Sequence, residues 1–221
     1  MAYRRTENVI RRLAARHDAI IAAAGALAAE AGLNAVQIGP VSQRAGVATG
    51  TVYRYFPSKT ELVAALVAAV SERELTAMRR GADAAPGPLS ALAAAITTFA
   101  ARALGNPKLA FALIAEQADG AADEARLAFC KALAAELGQR LTIAMKGGHL
   151  PDQDVAIAAP ALLGAIVEGL VGPLAAPAED AAARDAVQAI TLLALRAVGV
   201  ADARARGLVV QARMPGRAPA D

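Results

Sequence analysis

Three features of the sequence predict an all-α protein. The 221 residues are 56% hydrophobic and contain no Trp, and the abundant Ala and Leu favour helix over strand. Apolar residues recur at helical spacing through several long segments, and no run longer than Leu208-Val209-Val210 is typical of a strand. We therefore expect an N-terminal three-helix domain, joined by a fourth helix to a C-terminal helical domain. A chain of this length can bury a sizeable core.

The N-terminal part is predicted to contain four helices, two long and two short. Gly32 can end the first in a left-handed conformation, and an Ala-Gly-Val turn joins the two short ones. Pro57 prevents the second short helix from continuing. Ser58 and Glu61 have the spacing of a capping box at the start of the fourth. The expected ranges are about 8–31, 39–45, 49–55 and 58–80.

The stretch GADAAPGP at 81–88 predicts the domain boundary, because Gly and Pro interrupt helices. We expect a first domain at 1–60 with its connecting helix to about 80, and a second at 81–205. Residues 206–221 contain Arg and Pro and are expected to form a flexible tail. The helices expected in the second domain lie at about 89–104, 108–118, 121–146, 152–175 and 180–200.

Basic residues are concentrated near the N-terminus. Of the 23 Lys or Arg and 20 Asp or Glu in the chain, residues 1–60 contain eight and three, which leaves fifteen and seventeen for the remainder. A basic head on a near-neutral body is typical of a polyanion-binding domain joined to another module. The alternative is ordinary surface charge with a solvated N-terminal tail.

The residue inventory argues against an enzyme. The chain contains two His and one Cys, and it lacks metal-ligand spacing, a phosphate-binding Gly loop and a Gly-x-Ser-x-Gly elbow. We expect no catalytic residue, no metal and no cofactor. The single Cys and an N-terminus without the apolar core of a signal peptide suit a cytoplasmic protein.

One apolar segment, 155–178, is long enough to span a bilayer. Glu168 lies near its middle, Pro160 and Pro173 interrupt it, and acidic rather than basic residues flank both ends. We therefore expect a buried helix of a bundle and no membrane partner.

The two short helices and their turn form a helix-turn-helix pattern. In such a motif the first helix crosses the phosphate backbone and the second lies in the major groove, with small residues at its N-terminus. The second helix here begins Thr49-Gly50-Thr51, which are small or hydroxylated. Hydroxyl groups and a Lys at a helix N-terminus are typical phosphate contacts. This segment therefore predicts binding to double-stranded DNA.

The segment resembles the DNA-binding domain of the tetracycline-repressor (TetR) family of bacterial transcriptional regulators, over about residues 10–70. The matching residues are Ile20-Ile21, Ala23-Ala24, Gly32, Ala45-Gly46-Val47, the run Gly50-Thr51-Val52-Tyr53-Arg54-Tyr55-Phe56-Pro57-Ser58-Lys59, and Leu62. The resemblance implies that Val52 and Phe56 are core residues that seat the recognition helix. The DNA-contacting residues are then expected to be Gln37, Thr49, Gly50, Thr51, Tyr53, Arg54, Tyr55 and Lys59, with Arg54 at a variable position.

Three positions depart from the family pattern. Val36-Gln37 stands where a Thr or Ser pair usually caps the first short helix, so Gln37 or Asn34 would have to substitute. Ala48 replaces the usual Ser or Thr before the recognition helix, at a cost of about 1 kcal/mol. Gly39-Pro40 replaces polar residues that can contact phosphate.

Several features of the head have two interpretations. The aromatic run at 53–56 could instead pack the head against the body. Four N-terminal arginines form either a solvated arm or groove and phosphate contacts, namely Arg4, Arg5, Arg11 and Arg12. His17 is expected to have a structural or surface role.

The resemblance also implies a C-terminal domain that binds a small effector. Apolar pockets with a few polar groups are the usual small-molecule site, and the scarcity of aromatic residues predicts a hydrophobic or amphipathic ligand. Core packing or salt bridges are the alternative role of each residue. The candidate ligand-binding residues are Phe99, Arg102, Phe111, Glu116, Phe129, Met145 and Glu168, with Thr98, Gln117 and His149 as further polar candidates.

The last two predicted helices have apolar stripes suited to a dimer interface. Two helices from each of two chains could form a four-helix bundle, and burial within one chain is the alternative. The candidate interface residues are Leu163, Ile166, Val167, Leu170, Val187, Ile190, Ala194 and Val198.

Together these features predict a ligand-responsive dimeric transcriptional regulator, with repressor the favoured role. It would bind palindromic operator DNA and be released by a small hydrophobic effector. The alternative is a helical protein-interaction module or a non-specific DNA-binding module without an effector.

Overall fold

The computed structural model describes residues 2–116, 119–175 and 182–212, without the side chains of 2–6. The regular structure within these ranges is helical, as predicted, with ten α-helices and a short 3-10 segment at Leu33–Ala35. In chain order the helices are α1 (Ala2–Ala31), α2 (Ile38–Arg44), α3 (Thr49–Tyr55), α4 (Lys59–Asp83), α5 (Pro88–Gly105), α6 (Pro107–Ile114), α7 (Ala121–Lys146), α8 (Val155–Leu170), α9 (Ala183–Ala197) and α10 (Asp202–Gln211).

Helices α1 to α3 form the N-terminal head. Ile20 and Ala24 of α1 are fully buried, as are Val41 of α2 and Val52 of α3. Gly32 has a φ of 77° and ends α1, as predicted. Gly46, with a φ of 64°, lies in the turn between α2 and α3, a conformation that L side chains rarely adopt.

Helix α4 connects the head to the body. The Ser58 hydroxyl accepts a hydrogen bond from the backbone N–H of Glu61 at 3.1 Å, which caps the start of α4 as the sequence indicates. Its apolar stripe is buried along the whole helix, from Leu62 to Met78. α4 packs against α1 on the head side and against α5 and α7 in the body.

Helix α5 lies at the centre of the body, in contact with α4, α7 and α9. It is long and apolar enough to cross a membrane by length and composition, but 56% of it is buried inside the fold. Its apolar residues therefore supply the core of the body. α8 and α9 approach each other closely where Gly169 faces Ile190, since a Cβ at Gly169 would lie 3.0 Å from Ile190 Cδ1.

Two elements differ from the sequence-based expectation. α8 was expected over 152–175 but spans Val155–Leu170, because Asp154 caps its start and Gly172 and Pro173 follow its end. Residues 206–211, expected in the flexible tail, instead form the second half of α10. Leu208 and Val209 are buried there.

Smaller differences occur at other helix ends. α1 begins at Ala2 rather than near residue 8, and α6 ends at Ile114 rather than 118. The rest of the expected tail, from 213 onward, lies outside the described residues. The division into two domains near 81–88 stays a prediction.

Candidate DNA-binding surface and ligand cavity

The recognition helix α3 has two faces. Val52 and Phe56 face inward and are 0% and 5% exposed, which confirms their predicted core position. Thr49, Gly50, Tyr53 and Arg54 are exposed, and Thr51, Tyr55 and Lys59 are half-buried. A Cβ at Gly50 would meet nothing within 4 Å, so packing within the chain does not require a glycine there.

The Thr49 hydroxyl is tied to the preceding helix. Ser42 of α2 is buried and donates its hydroxyl proton to the carbonyl of Gly39 at 2.8 Å. Ser42 Oγ also lies 3.1 Å from Thr49 Oγ1. Because Ser42 has only one proton, Thr49 must be the donor of this second bond. Thr49 therefore has only acceptor capacity left, and phosphate oxygens also only accept. Ser42 was not identified from the sequence.

Tyr55 is likewise held by the head itself. Its hydroxyl donates to the carbonyl of Leu13 in α1 at 3.2 Å. The His17 ring lies beside both Tyr55 and Phe56, with centroids 6.3 and 5.3 Å away. The guanidinium of Arg54 lies 5.9 Å from the Tyr55 ring centroid. Tyr55 thus joins α3 to α1, a role that the sequence did not indicate. The structural role expected for His17 agrees with this packing.

Four predicted DNA-contacting side chains have hydrogen-bond donors without an acceptor in the described part of the chain: Thr51, Tyr53, Arg54 and Lys59. Tyr53 is 51% exposed, and Lys59 stands at the first position of α4, where backbone N–H groups favour anions. Thr49 and Tyr53 are four residues apart and share one face of α3. These side chains and the exposed end of α3 form the candidate DNA-binding surface.

The departures from the family pattern leave α2 and α3 without side-chain caps at their starts. Gln37 precedes α2 but makes no side-chain cap, and its Nε2 donates to the carbonyl of Asn34 at 3.0 Å. The expectation that Gln37 or Asn34 would replace the missing cap is therefore wrong. The amide group of Gln37 is directed back toward Asn34 instead of toward the first turn of α2. Ala48 likewise leaves α3 without a side-chain cap, as expected.

The basic residues of the head differ in whether a neighbouring carboxylate already pairs with them. Arg44 pairs with Glu30 at 2.6 Å and lowers the pKa of that carboxyl group. Arg11 donates to Asn8 one turn away, and it lies with Arg12 on the exposed first half of α1. Both interpretations of the N-terminal arginines, a solvated arm and groove or phosphate contacts, stay predictions.

The body contains a partly open cavity of roughly 60 Å³ between α4, α5, α6 and α7. Three predicted ligand-binding residues line it: Phe99, Arg102 and Phe129. The other residues that line it are Val70, Glu74, Ala103, Asn106, Leu109, Ala110, Leu113 and Ile114. The wall is thus apolar except for one ion pair and one amide. An open groove between α4 and α7 lies beside this cavity and shares Phe129 with it.

The ion pair joins α5 to α4 at the cavity wall. Arg102 Nε and Nη2 donate to the two carboxylate oxygens of Glu74 at 2.6 and 2.7 Å. The side chains are only 28% and 17% exposed. Hydrogen bonding to Glu74 raises the pKa of Arg102, so the guanidinium is charged at every physiological pH.

The remaining ligand candidates do not reach this cavity. Phe111 is half-buried on α6, Met145 is half-buried near the end of α7, and Glu168 is exposed on α8. Glu168 instead accepts a hydrogen bond from the backbone N–H of Leu174 at 3.2 Å, just beyond the end of α8. Thr98 is buried against Gly81, His149 is exposed, and Gln117 lies outside the described residues.

Glu116 contacts the head rather than the cavity. Its Oε2 accepts a hydrogen bond from the backbone N–H of Leu33 at 3.2 Å. Gly32 makes room for it, because a Cβ there would lie 3.2 Å from the same oxygen. Lys108, near the start of α6, donates to the carbonyl of Glu30 at 3.2 Å. Both ends of the cavity-lining segment around α6 are therefore bonded to the head.

All eight residues proposed for a dimer interface are buried within the single chain: Leu163, Ile166, Val167, Leu170, Val187, Ile190, Ala194 and Val198. They face the core of the body, so in this conformation they are not available to a second chain. The reason is that α8 and α9 must each bury one apolar stripe on their own body. The opposite faces of both helices are exposed, and they contain further Ala, Gly, Leu and Ile residues.

Comparisons with known proteins find relatives of the head by sequence and of the whole fold by structure. The family model of bacterial regulatory proteins of the tetR family matches residues 20–66. The HTH-type transcriptional repressor KstR of Rhodococcus jostii is 48% identical over 58 residues, which are 26% of this chain and 27% of KstR. The matched region thus spans about a quarter of the length of the curated relatives.

Solved structures resemble the fold over nearly the whole chain. RolR in complex with resorcinol is 22% identical, with a TM-score of 0.67 over 95% of this chain and 100% of RolR. FadR from Bacillus subtilis in complex with stearoyl-CoA is 22% identical, with a TM-score of 0.64 over 78% and 96%. Over residues 20–66, the head is similar to the bacterial regulatory proteins of the tetR family.

Proposed function

We propose that this chain is a homodimeric transcriptional repressor that binds a palindromic operator and releases it when a small effector occupies the body cavity. The observation that supports this most directly is the recognition helix. Val52 and Phe56 seat α3 on the head, while Tyr53 presents its donor on the exposed face of that helix. Thr51 of α3 and Lys59 at the start of α4 are half-buried and add further donors. Such donors at the start of a helix suit phosphate and base contacts.

Release by an effector is supported by the position of α6. This helix lines the cavity through Leu109, Ala110 and Leu113, and its two ends are bonded to the head through Lys108 and Glu116. A ligand that moves α6 would therefore act directly on the segment between α1 and α2. A ligand shifts such an equilibrium only as far as it binds one conformation better than the other.

The comparisons support a small-molecule effector without identifying it. RolR is described with resorcinol and FadR with stearoyl-CoA, so related folds accommodate ligands of very different size. The cavity here is roughly 60 Å³, whereas a cavity of about 150 Å³ holds benzene. An effector as large as benzene must therefore enlarge the cavity, and the walls that would move are α4, α5, α6 or α7.

Dimerisation is proposed through the exposed faces of α8 and α9. The exposed stripe consists of Ile157, Ala161, Gly164 and Ala165 on α8 with Ala189, Leu193 and Ala197 on α9. Small side chains let two helices approach closely, and a two-fold pair of such faces makes a four-helix bundle. Two heads on one dimer would read two half-sites one helical turn apart, about 34–36 Å, or a multiple of it.

The test is a selection of duplexes from a random DNA pool by the purified chain, followed by sequencing. We expect enrichment of an inverted repeat. Binding to the enriched duplex, measured by fluorescence anisotropy, should weaken as salt rises. Lys59→Ala should lower affinity and reduce the slope of log affinity against log salt by about 1.

The matched control is Lys131→Ala, the same substitution on the exposed face of α7. It should bind the enriched duplex as the unmodified chain does. Equal binding to every duplex would instead indicate a non-specific DNA-binding module. The absence of DNA binding would favour a protein-interaction module.

A further inference from the structure

The polar groups of the cavity wall have more free hydrogen-bond donors than charged acceptors. Arg102 uses Nε and Nη2 on Glu74, and no acceptor is recorded for its Nη1 among the described residues. Asn106 accepts from the backbone N–H of Leu109 through Oδ1 at 3.4 Å, and no acceptor is recorded there for its Nδ2. The wall therefore offers spare donors, and Glu74 supplies its only charged acceptor group.

The same ion pair also limits the space. Glu74 lies on α4 and Arg102 on α5, and both side chains line a cavity too small for a benzene-sized ligand. A ligand that leaves the pair intact must find room elsewhere. A ligand that takes Arg102 from Glu74 frees the carboxylate side chain to turn away, and this enlarges the cavity at its polar end.

We propose that the effector is a compact apolar carboxylate whose acid group replaces Glu74 on Arg102. The inference rests on the proposed function, since it names the ligand class of the same cavity. A planar carboxylate matches the two-pronged guanidinium as Glu74 does, and its second oxygen can accept from Nδ2 of Asn106. The apolar part then lies among Val70, Phe99 and Leu113.

Displacement of Glu74 would also break a bond between α4 and α5. Glu74 lies midway along α4, between the head at Lys59 and a second ion-pair cluster at Arg79 and Asp83. The exchange leaves that cluster intact. The part of α4 between this cluster and the head therefore loses a bond to α5, whereas the part held by the cluster does not.

A family of matched probes tests the ligand class. Benzoate and cyclohexanecarboxylate are each compared with their neutral amides, which have nearly the same shape, and with benzylamine as a cation. Dissociation constants are measured by isothermal titration calorimetry at pH 7 without DNA. We expect each acid to bind roughly tenfold or more tightly than its amide, because hydrogen bonds to a charged group are the stronger ones.

Substitutions at Glu74 and Arg102 test whether a ligand carboxylate competes with Glu74 for Arg102 or is only attracted to the guanidinium. Glu74→Gln removes the competing charge and should strengthen carboxylate binding by roughly tenfold. Arg102→Gln should abolish the preference for acid over amide. The double variant Glu74→Gln/Arg102→Gln leaves no unpaired charge at the wall and should also show no preference. Arg73→Gln, an exposed neighbour on α4, is the matched control and should behave as the unmodified chain.

Circular dichroism confirms that each variant is folded before its binding is compared. Equal binding of acid and amide, preference for benzylamine, or a preference that survives Arg102→Gln would each overturn the carboxylate assignment. So would the absence of carboxylate binding to Glu74→Gln. These outcomes leave the DNA selection untouched, so a failure of the ligand class and a failure of the proposed repressor function are distinguishable.

Discussion

Tyr53 and Tyr55 are two residues apart on α3, but their hydroxyl groups meet different surroundings. Tyr53 is 51% exposed, whereas the Tyr55 hydroxyl donates to the carbonyl of Leu13. The Tyr55 ring also packs beside His17. One tyrosine is therefore available to DNA, and the other positions the helix that presents it.

We expect Tyr53→Phe and Tyr55→Phe to separate these two roles. Tyr53→Phe should weaken binding to the selected duplex by roughly five- to tenfold, since a donor to phosphate is lost. It should change the free energy of unfolding by less than about 0.5 kcal/mol. Tyr55→Phe should instead lower the unfolding free energy by about 1 kcal/mol, the usual contribution of one hydrogen bond.

Anisotropy titrations measure the first effect, and urea unfolding followed by circular dichroism measures the second. Each variant is the control for the other, because both lose one hydroxyl from the same helix. A stable Tyr55→Phe that loses DNA binding while Tyr53→Phe keeps it would reverse the assignment.

The sequence predicts some of these residue positions and not others, for a physical reason. The core positions of Val52 and Phe56 follow from the family resemblance, and the missing cap at Ala48 follows from its lack of a side-chain oxygen. The bonds of Thr49 and Tyr55 depend on where Ser42 and α1 lie in space. Local pattern contains no information about such long-range partners.

Among the helices, α4 and α7 are joined by a cluster of charged residues around Glu136. Glu136 is only 2% exposed, and its two oxygens accept from Nε of Arg79 and Nε of Arg140, each at 2.9 Å. Arg140 reaches on to Asp83 at the end of α4 at 3.0 Å. Burial of an ion pair is a poor source of net stability, but removal of one partner leaves the others uncompensated.

We therefore expect Glu136→Ala to lower the free energy of unfolding by about 3 kcal/mol. Two guanidinium groups lose their shared acceptor, and Arg140 is mostly buried. Thermal and urea unfolding by circular dichroism measure the change. Glu72→Ala, on the exposed face of α4, is the control and should stay within about 0.5 kcal/mol of the unmodified chain. Equal stability of the two variants would show that the cluster does not hold α4 against α7.

Helix positions were predictable where apolar spacing is long and punctuated. α7 spans Ala121–Lys146 as expected, because Gly120 and Gly147 flank it. α10 was missed because its Arg residues favoured a solvated tail. Its buried residues Ala205, Leu208 and Val209 have helical spacing, and Asp202 pairs with Arg206 one turn later. That pattern was the available signal.

For the whole molecule, the sequence predicted some of the residues that line the cavity but not how the helices pack around it. The cavity residues Phe99, Arg102 and Phe129 were predicted, whereas Glu74 and Asn106 were not. They reach the wall through the angle at which α4 and α6 cross α5, which spacing along the chain does not determine. The same holds for α8 and α9, whose most apolar stripes face their own core and leave the exposed stripe for another partner.

The exposed stripe makes dimerisation testable without disturbing the core. Leu193 is 54% exposed near the middle of α9, so Leu193→Arg should leave the folded chain intact. In a two-fold interface the substitution places two positive charges close together in an apolar contact. We expect a mass near the monomer value of 22.4 kDa by light scattering, against twice that for the unmodified chain. Affinity for the inverted repeat should fall by roughly 100-fold or more, because one head reads only one half-site.

Val210→Arg, on the exposed face of α10 and 79% exposed, is the matched control and should remain dimeric. A monomeric unmodified chain at micromolar concentration would contradict the proposed dimer, and a dimeric Leu193→Arg would place the interface elsewhere.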